Sequence, residues 1–172
     1  MKRPRWIVPV LVAVLSLTIA ACGPGFPTET YTVDGVFSMD YPEGWMVEEN
    51  EGVVGFTAEE ATIEEMGFVV AYQLELMAAT FEINLEDPGE LLNFYYVTSE
   101  LGDPQPREEE FGGGTWVISD YDYDDGDYSL KGFIAAGRGA DNAILVIVGA
   151  SPEAYETYSE YYNVMFESIQ FE

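Results

Sequence analysis

Residues 143–148 read Ala-Ile-Leu-Val-Ile-Val, with Asp141-Asn142 before them and Ser151-Pro152 soon after. A short unbroken apolar run between turn signals describes a strand buried on both faces. Such a strand is central in its sheet, and the residues before it supply neighbours. Residues 115–123 are strand-like, Asp124-Asp125-Gly126-Asp127 is a turn, and residues 128–136 return. Asp-Gly readily supplies the positive φ of a tight turn, so this pair reads as a β-hairpin. Gly137-Arg138-Gly139 to Asn142 makes a second hairpin turn into the apolar run.

The other elements follow from caps and periodicity. Phe37 to Tyr41 reads as a strand ending at Pro42, preceded by a possible Asp34-Gly35 turn. After Pro42-Glu43-Gly44, residues 45–48 continue extended, and Val53 to Thr57 is a further strand. Residues 58–66 carry four Glu and read as a loop or short helical turn. Phe68, Val70, Tyr72, Leu74 and Leu76 alternate, which predicts a strand over 67–77. Asp87-Pro88-Gly89-Glu90 announces a helix, with Asp87 as N-cap and Pro88 in its first turn. Leu91, Leu92, Tyr95 and the Leu101 region form its apolar face. Residues 107–111 are extended and end at Gly112-Gly113-Gly114. Ser151-Pro152 opens a last helix whose Tyr155, Tyr158, Tyr162, Met165 and Phe166 keep helical spacing, and Ile169 and Phe171 end extended. The order is βββ-α-βββ-α, which indicates an α+β sandwich.

The first residues read as an address. Lys2, Arg3 and Arg5 form a basic start, and residues 6–19 are a 14-residue apolar stretch interrupted by Pro9, Ser16 and Thr18. A spanning helix needs about 20 apolar residues, so this length suits a signal peptide. It ends in Ile19-Ala20-Ala21-Cys22-Gly23, which resembles the lipobox of bacterial lipoproteins. That resemblance implies cleavage after Ala21 and a diacylglyceryl group on the Cys22 sulfur. The division is then 1–21 signal peptide, 22–30 lipidated Cys and tether, and 31–172 a single domain. An ordinary signal peptide or an uncleaved anchor is the plainer alternative. The expected place is the extracytoplasmic face of the cell membrane, reached through a lipid anchor.

Composition removes several functions. The chain has no His and one Cys, so Ser-His-Asp or Cys-His catalysis, a His-ligated zinc site and an internal disulfide are excluded. The formal net charge is −26, from 32 Asp+Glu against 6 Lys+Arg. This argues against nucleic acid, which needs clustered cations. Every acid lies at or after Glu29, and after Cys22 only Arg107, Lys131 and Arg138 remain as cations. An aromatic content of 15% favours a folded core over disorder.

Tyr41-Pro42-x-Gly44-Trp45 after a short strand, an acidic hairpin-rich half after a middle helix, and a final helix running into Ser168-Ile169-Gln170-Phe171 occur together. This combination resembles the PsbP-like family, related in fold to DcrB-type bacterial lipoproteins and to an import factor that binds the Ran GTPase. The resemblance covers about residues 29–172. It implies an α-β-α sandwich around an antiparallel sheet, in a small non-enzymatic accessory protein. Plant and cyanobacterial members serve photosystem II at the lumenal membrane surface. The family's His metal ligands have no counterpart here.

Asp120, Asp122, Asp124, Asp125 and Asp127 form the densest acid cluster. A hard cation such as Ca²⁺ wants about six to eight oxygens, and closely spaced Asp can supply several. Counted from Asp120, an EF-hand would need Gly at Asp125 and Glu at Lys131, so this is not an EF-hand. On a strand Asp120 and Asp122 share one face and Tyr121 and Tyr123 the other. The cluster is either a solvated face leading into an acidic turn or a calcium site. The Glu runs 59–60, 64–65 and 108–110 read as solvated loops that can attract a basic partner. The glycine stretches are turns, since neither precedes Lys-Ser/Thr or joins strand to helix as phosphate loops do. The tyrosines of the last helix read as core, and Trp45 as a plug under its turn. No residue is assigned to catalysis. The expected function is a lipid-anchored accessory module that docks a membrane-associated partner through its acidic surface. A calcium-binding accessory protein is the alternative.

Overall fold

The computed structural model describes residues 25–58, 66–124, 126 and 129–172. In chain order these form β1 (Thr28–Val33), β2 (Phe37–Pro42), β3 (Met46–Asn50), β4 (Val53–Thr57), β5 (Met66–Ala71), α1 (Glu75–Phe81), α2 (Pro88–Thr98), β6 (Arg107–Phe111), β7 (Gly114–Asp124), β8 (Ser129–Arg138), β9 (Ala143–Ala150), α3 (Pro152–Glu167) and β10 (Gln170–Phe171). The class is α+β, with two antiparallel sheets and three helices among the described residues. One sheet has the order β1-β2-β10 and the other β3-β4-β5-β9-β8-β7-β6.

The expected order βββ-α-βββ-α around one sheet is corrected on two counts. Among the described residues five strands precede the first helix, and a second sheet is present. That sheet depends on β10 pairing with β2, Gln170 opposite Ser38, a contact between the chain's two ends. The predicted strand over 67–77 also ends early, at Ala71. Ala71 lies opposite Val53, the first residue of β4, so its ladder on that side stops there. The next two N–H groups, of Tyr72 and Gln73, turn to the Gly52 carbonyl. The chain then coils into α1, which buries Leu74 and Ala78 and leaves Leu76 80% exposed. Four-residue spacing replaces the two-residue one. At the other end, β1 begins at Thr28, inside the stretch read as tether.

The run 143–148 lies in β9, the fourth and central strand of the seven, paired on both sides, with β5 and with β8. Its side chains alternate between two cores. Ile144, Val146 and Val148 join Phe56, Phe68, Val70, Trp116, Ile118 and Phe133 under α3 and the small sheet. Leu145 joins Val117, Ile134 and Ala136 under α1 and α2. Alternation on one strand sends these clusters to opposite faces of the large sheet. The aromatic core is knitted by ring contacts, Trp116 to Phe111 at 5.1 Å, Phe166 at 4.9 Å and Phe171 at 5.5 Å between centroids. The β6–β7 turn is tied to the C-terminal strand, since the Phe171 N–H donates to the Gly112 carbonyl at 2.8 Å. Gly112 has φ +58°, and a Cβ there would stand 1.9 Å from the Ile169 carbonyl oxygen.

Both long helices start as their caps dictate. The Asp87 carboxylate accepts from the N–H groups of Gly89 (2.9 Å) and Glu90 (3.3 Å). The Ser151 hydroxyl accepts from the Ala154 N–H at 3.3 Å. Among the described residues no helix is long and apolar enough to cross a membrane.

Candidate functional site

The expected β7–β8 hairpin forms, but Asp124, read as the first residue of the turn, is the last of β7 and lies opposite Ser129, which sets Asp122 opposite Lys131. Asp120 and Asp122 are exposed, and Tyr121 and Tyr123 lie half-buried on the other face. The Tyr121 hydroxyl donates to the Val148 carbonyl at 3.0 Å, crossing the paired glycines Gly132 and Gly149. A Cβ on Gly149 would stand 2.3 Å from that hydroxyl oxygen.

Each described Asp of the cluster meets local chemistry of its own. Arg107 of β6 donates through Nη1 to Asp120 at 2.8 Å and through Nε to Glu109 at 3.1 Å. The Asp124 carboxylate accepts from the Gly126 N–H at 2.8 Å, closing the turn. Asp122 faces Lys131 across the ladder. An open cleft of 380 Å³ runs between Asp120, Asp122, Lys131 and Tyr155, with Lys131 Nζ 5.8 Å from the centre of the Tyr155 ring. Among the described residues no group of three or more Asp, Glu, Cys or His is placed to hold a metal ion. Asp125, Asp127 and Cys22 lie outside the described residues.

Two acidic stretches sit on the edges of the large sheet. β6 carries Glu108, Glu109 and Glu110 on one edge of the large sheet, and β3 carries Glu48 and Glu49 on the other. The third cation after Cys22, Arg138, donates through Nη2 to Glu86 at 2.6 Å. Arg107 and Arg138 are thus engaged by carboxylates, and the remaining acids present an almost unrelieved negative surface. A surface of one sign steers oppositely charged partners.

Sequence reasoning missed two sites. The first joins three distant segments. The hydroxyls of Tyr31 (2.7 Å) and Tyr72 both donate to the Glu49 carboxylate. These bonds, from Tyr72 first and Tyr31 second, hold the Glu49 carboxyl below its usual range. The Glu49 hydrogen bond and then burial push the Tyr72 phenol up to about 12, and burial followed by the same carboxylate raises Tyr31 further. No local spacing announces such a cluster. The second is where the chain enters the domain. Phe26 packs on Tyr161 of α3, ring centroids 4.3 Å apart, and Trp45 stacks on Tyr161 from 5.9 Å. Tyr161 is thus half-buried between these rings, while Tyr162 is fully buried with Trp45 against its edge. The Tyr162 hydroxyl has no hydrogen-bond partner among the described residues. Burial raises its titration above the ordinary phenol value, with the nearby Tyr158, Tyr155 and Tyr121 adding to it.

On the opposite face, α1 and α2 leave Phe81 58% and Val97 66% exposed. The signal for this was present in the sequence. Residues 94–97 read Phe-Tyr-Tyr-Val, which puts apolar residues around the whole helix.

No family model matches the chain, and no curated protein does either. Solved structures match its shape at low identity. The solution structure of cyanobacterial PsbP (CyanoP) from Synechocystis sp. PCC 6803 superposes with a TM-score of 0.57 at 15% identity, over 90% of this chain and 99% of that one. A crystal structure from Bacteroides thetaiotaomicron VPI-5482 gives 0.55 at 12% identity, over 84% of this chain and 48% of that one. LpqN of Mycobacterium tuberculosis, described as involved in cell envelope biogenesis, gives 0.52 at 12% identity, over 86% of each chain. At these identities the likeness is one of fold, and the fold of the described residues is PsbP-like.

Proposed function

We propose that this chain is a non-catalytic, lipid-anchored protein of the extracytoplasmic membrane face, docking a membrane-associated basic partner through its acidic surface. The observation that carries this is the charge layout. Acids crowd both edges of the large sheet, and two of the three cations after Cys22 are held by carboxylates. Such a surface attracts cations over a distance and repels anionic lipid head groups. An acyl chain on Cys22 then supplies the membrane attachment that the surface does not. The PsbP-like fold supports the accessory reading, and LpqN, similar in fold, is described as involved in cell envelope biogenesis.

The test follows labelled palmitate and a photo-crosslinker on the Glu108–Glu110 edge in intact cells. Label enters the wild type and not Cys22→Ala, and the protein moves from the membrane to the soluble fraction in the variant. Crosslinks to a basic membrane protein disappear in 1 M salt, where the screening length is about 3 Å. Equal labelling of the two proteins overturns the anchor, and salt-insensitive crosslinks overturn electrostatic docking. Repeating the crosslinking with calcium chelated separates the alternative, a calcium-dependent partner held through 120–127.

A further inference from the structure

Helix α2 is apolar on both sides. Leu91, Leu92 and Tyr96 are buried against the large sheet. Val97 faces away from it, 66% exposed. Phe94, three residues earlier, is Val97's neighbour on the outer side. Its ring meets that of Phe81 on α1 at 5.0 Å between centroids, and Phe81 is itself 58% exposed. A surface helix normally gives its outer side to polar residues. Here the exposed Phe81 and Val97, bridged by the half-buried Phe94 that also packs on the core beneath, make an apolar stripe instead. Acids stand around it: Glu82 follows Phe81, Glu90 lies one turn before Phe94, and Glu100 three residues past Val97. Neither α1 nor α2 carries a Lys or Arg.

We propose that this α1–α2 face is a docking site for an apolar segment flanked by Lys or Arg on a partner protein. This rests on the reading that the chain docks a basic partner, and it names the face and the chemistry of what covers it. Charge complementarity selects the occupant. An anionic bilayer and a second copy of this chain would each set negative charge against the acidic rim. The entry point of the chain also argues against lipid. Phe26 is held on Tyr161 of α3, beyond the opposite face of the large sheet. Cys22 lies four residues before Phe26, a reach of at most about 14 Å. An acyl group on Cys22 therefore keeps the α3 side at the bilayer and turns the stripe away from it, where a partner's segment meets it.

The test uses the full chain in phosphatidylcholine nanodiscs and a fluorescent helical peptide of Leu and Lys. Controls are a Leu/Glu peptide of the same pattern, a Lys/Ser peptide of the same charge, and empty discs for background. The wild type binds the Leu/Lys peptide. Phe81→Ser/Val97→Ser weakens it by about tenfold, which corresponds to roughly 1.4 kcal/mol. Glu82→Gln/Glu90→Gln/Glu100→Gln weakens it similarly and flattens its salt dependence. The remote set Glu153→Gln/Glu156→Gln/Glu167→Gln on α3 stays within about twofold. All substituted side chains except Phe81 and Val97 are charged surface groups, and unchanged thermal unfolding of the double variant confirms that it folds. If the Lys/Ser peptide binds as tightly as the Leu/Lys peptide, or the double variant binds as the wild type does, the stripe is overturned while general acidic docking stands. If the wild type binds neither cationic peptide, both readings fall. Equal binding of the Leu/Glu peptide overturns the basic flank.

Discussion

The two faces of the seven-stranded sheet are covered in different ways. Toward α3 the layer closes on itself. Trp116, Phe133, Phe166 and Phe171 interlock, the three-stranded sheet completes the cover, and the Ser168 hydroxyl accepts from the Asp40 N–H at 2.8 Å to pin helix to strand. Toward α1 and α2 the core is largely aliphatic, with Leu74, Leu91, Leu92, Ile134 and Leu145, and the helices keep large apolar groups on their outer side. Aromatic pairs contribute about 0.5–1.5 kcal/mol each beyond the area they bury. One face thus concentrates the aromatic contacts, and the other leaves large apolar surface, at Phe81 and Val97, open to solvent.

The largest effect that separates the faces is truncation of their central side chains. Trp116→Ala removes the ring that meets Phe111, Phe166 and Phe171 and is expected to cost about 3–5 kcal/mol in urea unfolding. Leu91→Ala, fully buried under α2, is expected near the lower end of the 2–5 kcal/mol range for such changes. A larger loss at Leu91 than at Trp116 breaks the comparison. A smaller effect sharpens it. Asp87→Ala removes two hydrogen bonds from the start of α2 and is expected to cost about 1 kcal/mol, with Asp87→Asn retaining most of the stability. No loss in Asp87→Ala would mean that α2 is held only by its buried side.

The parts legible in the sequence are those whose signals are local. The Asp-Gly turn signal located the β7–β8 hairpin, though not its register, and Asp87-Pro88 and Ser151-Pro152 start their helices where expected. The alternation through Tyr72 and Leu74 misled because both are buried, as a strand requires, yet they lie in the turn and at the cap of α1. Where β5 stops depends on where β4 begins, a fact of pairing and not of pattern. The small sheet needs Gln170 to find Ser38, which no window on the chain contains. The same holds for the site. The faces of Asp120 and Tyr121 follow from strand period, but Arg107 reaches Asp120 only through the β6–β7 register. The outer stripe of α2 was readable from Phe-Tyr-Tyr-Val, since a helix can bury only one side against one sheet.

The finest contrast concerns how the closed face is fastened at its edge. Glu49 of the edge strand β3 accepts from Tyr31 of the small sheet and from Tyr72 just after β5. The sign of its pH dependence follows from the shifts. The Glu49 carboxyl is lowered, so its contribution is fully present above its ordinary value of 4.5 and is lost as pH falls through the lowered folded value. The Tyr72 phenol is raised, so its contribution is present below 10 and is lost as pH rises through about 12. Protonating the chain's many other carboxylates also relieves self-repulsion, which strengthens the fold as pH falls. The whole-protein curve therefore hides the cluster, and the difference between wild type and Glu49→Gln reveals it. That difference in unfolding midpoint is expected to be level between 4.5 and 10 and to narrow on both sides. Ultraviolet titration of Glu49→Gln should show a tyrosine ionising at lower pH than in the wild type. A difference that stays level at every pH would show that the two phenols do not hold a carboxylate in solution. The edge of the aromatic face would then be fastened by packing alone, whereas α2 is also tied to β7 by the Tyr96 hydroxyl, which donates to the Ser119 and Asp120 carbonyls at 3.0 Å.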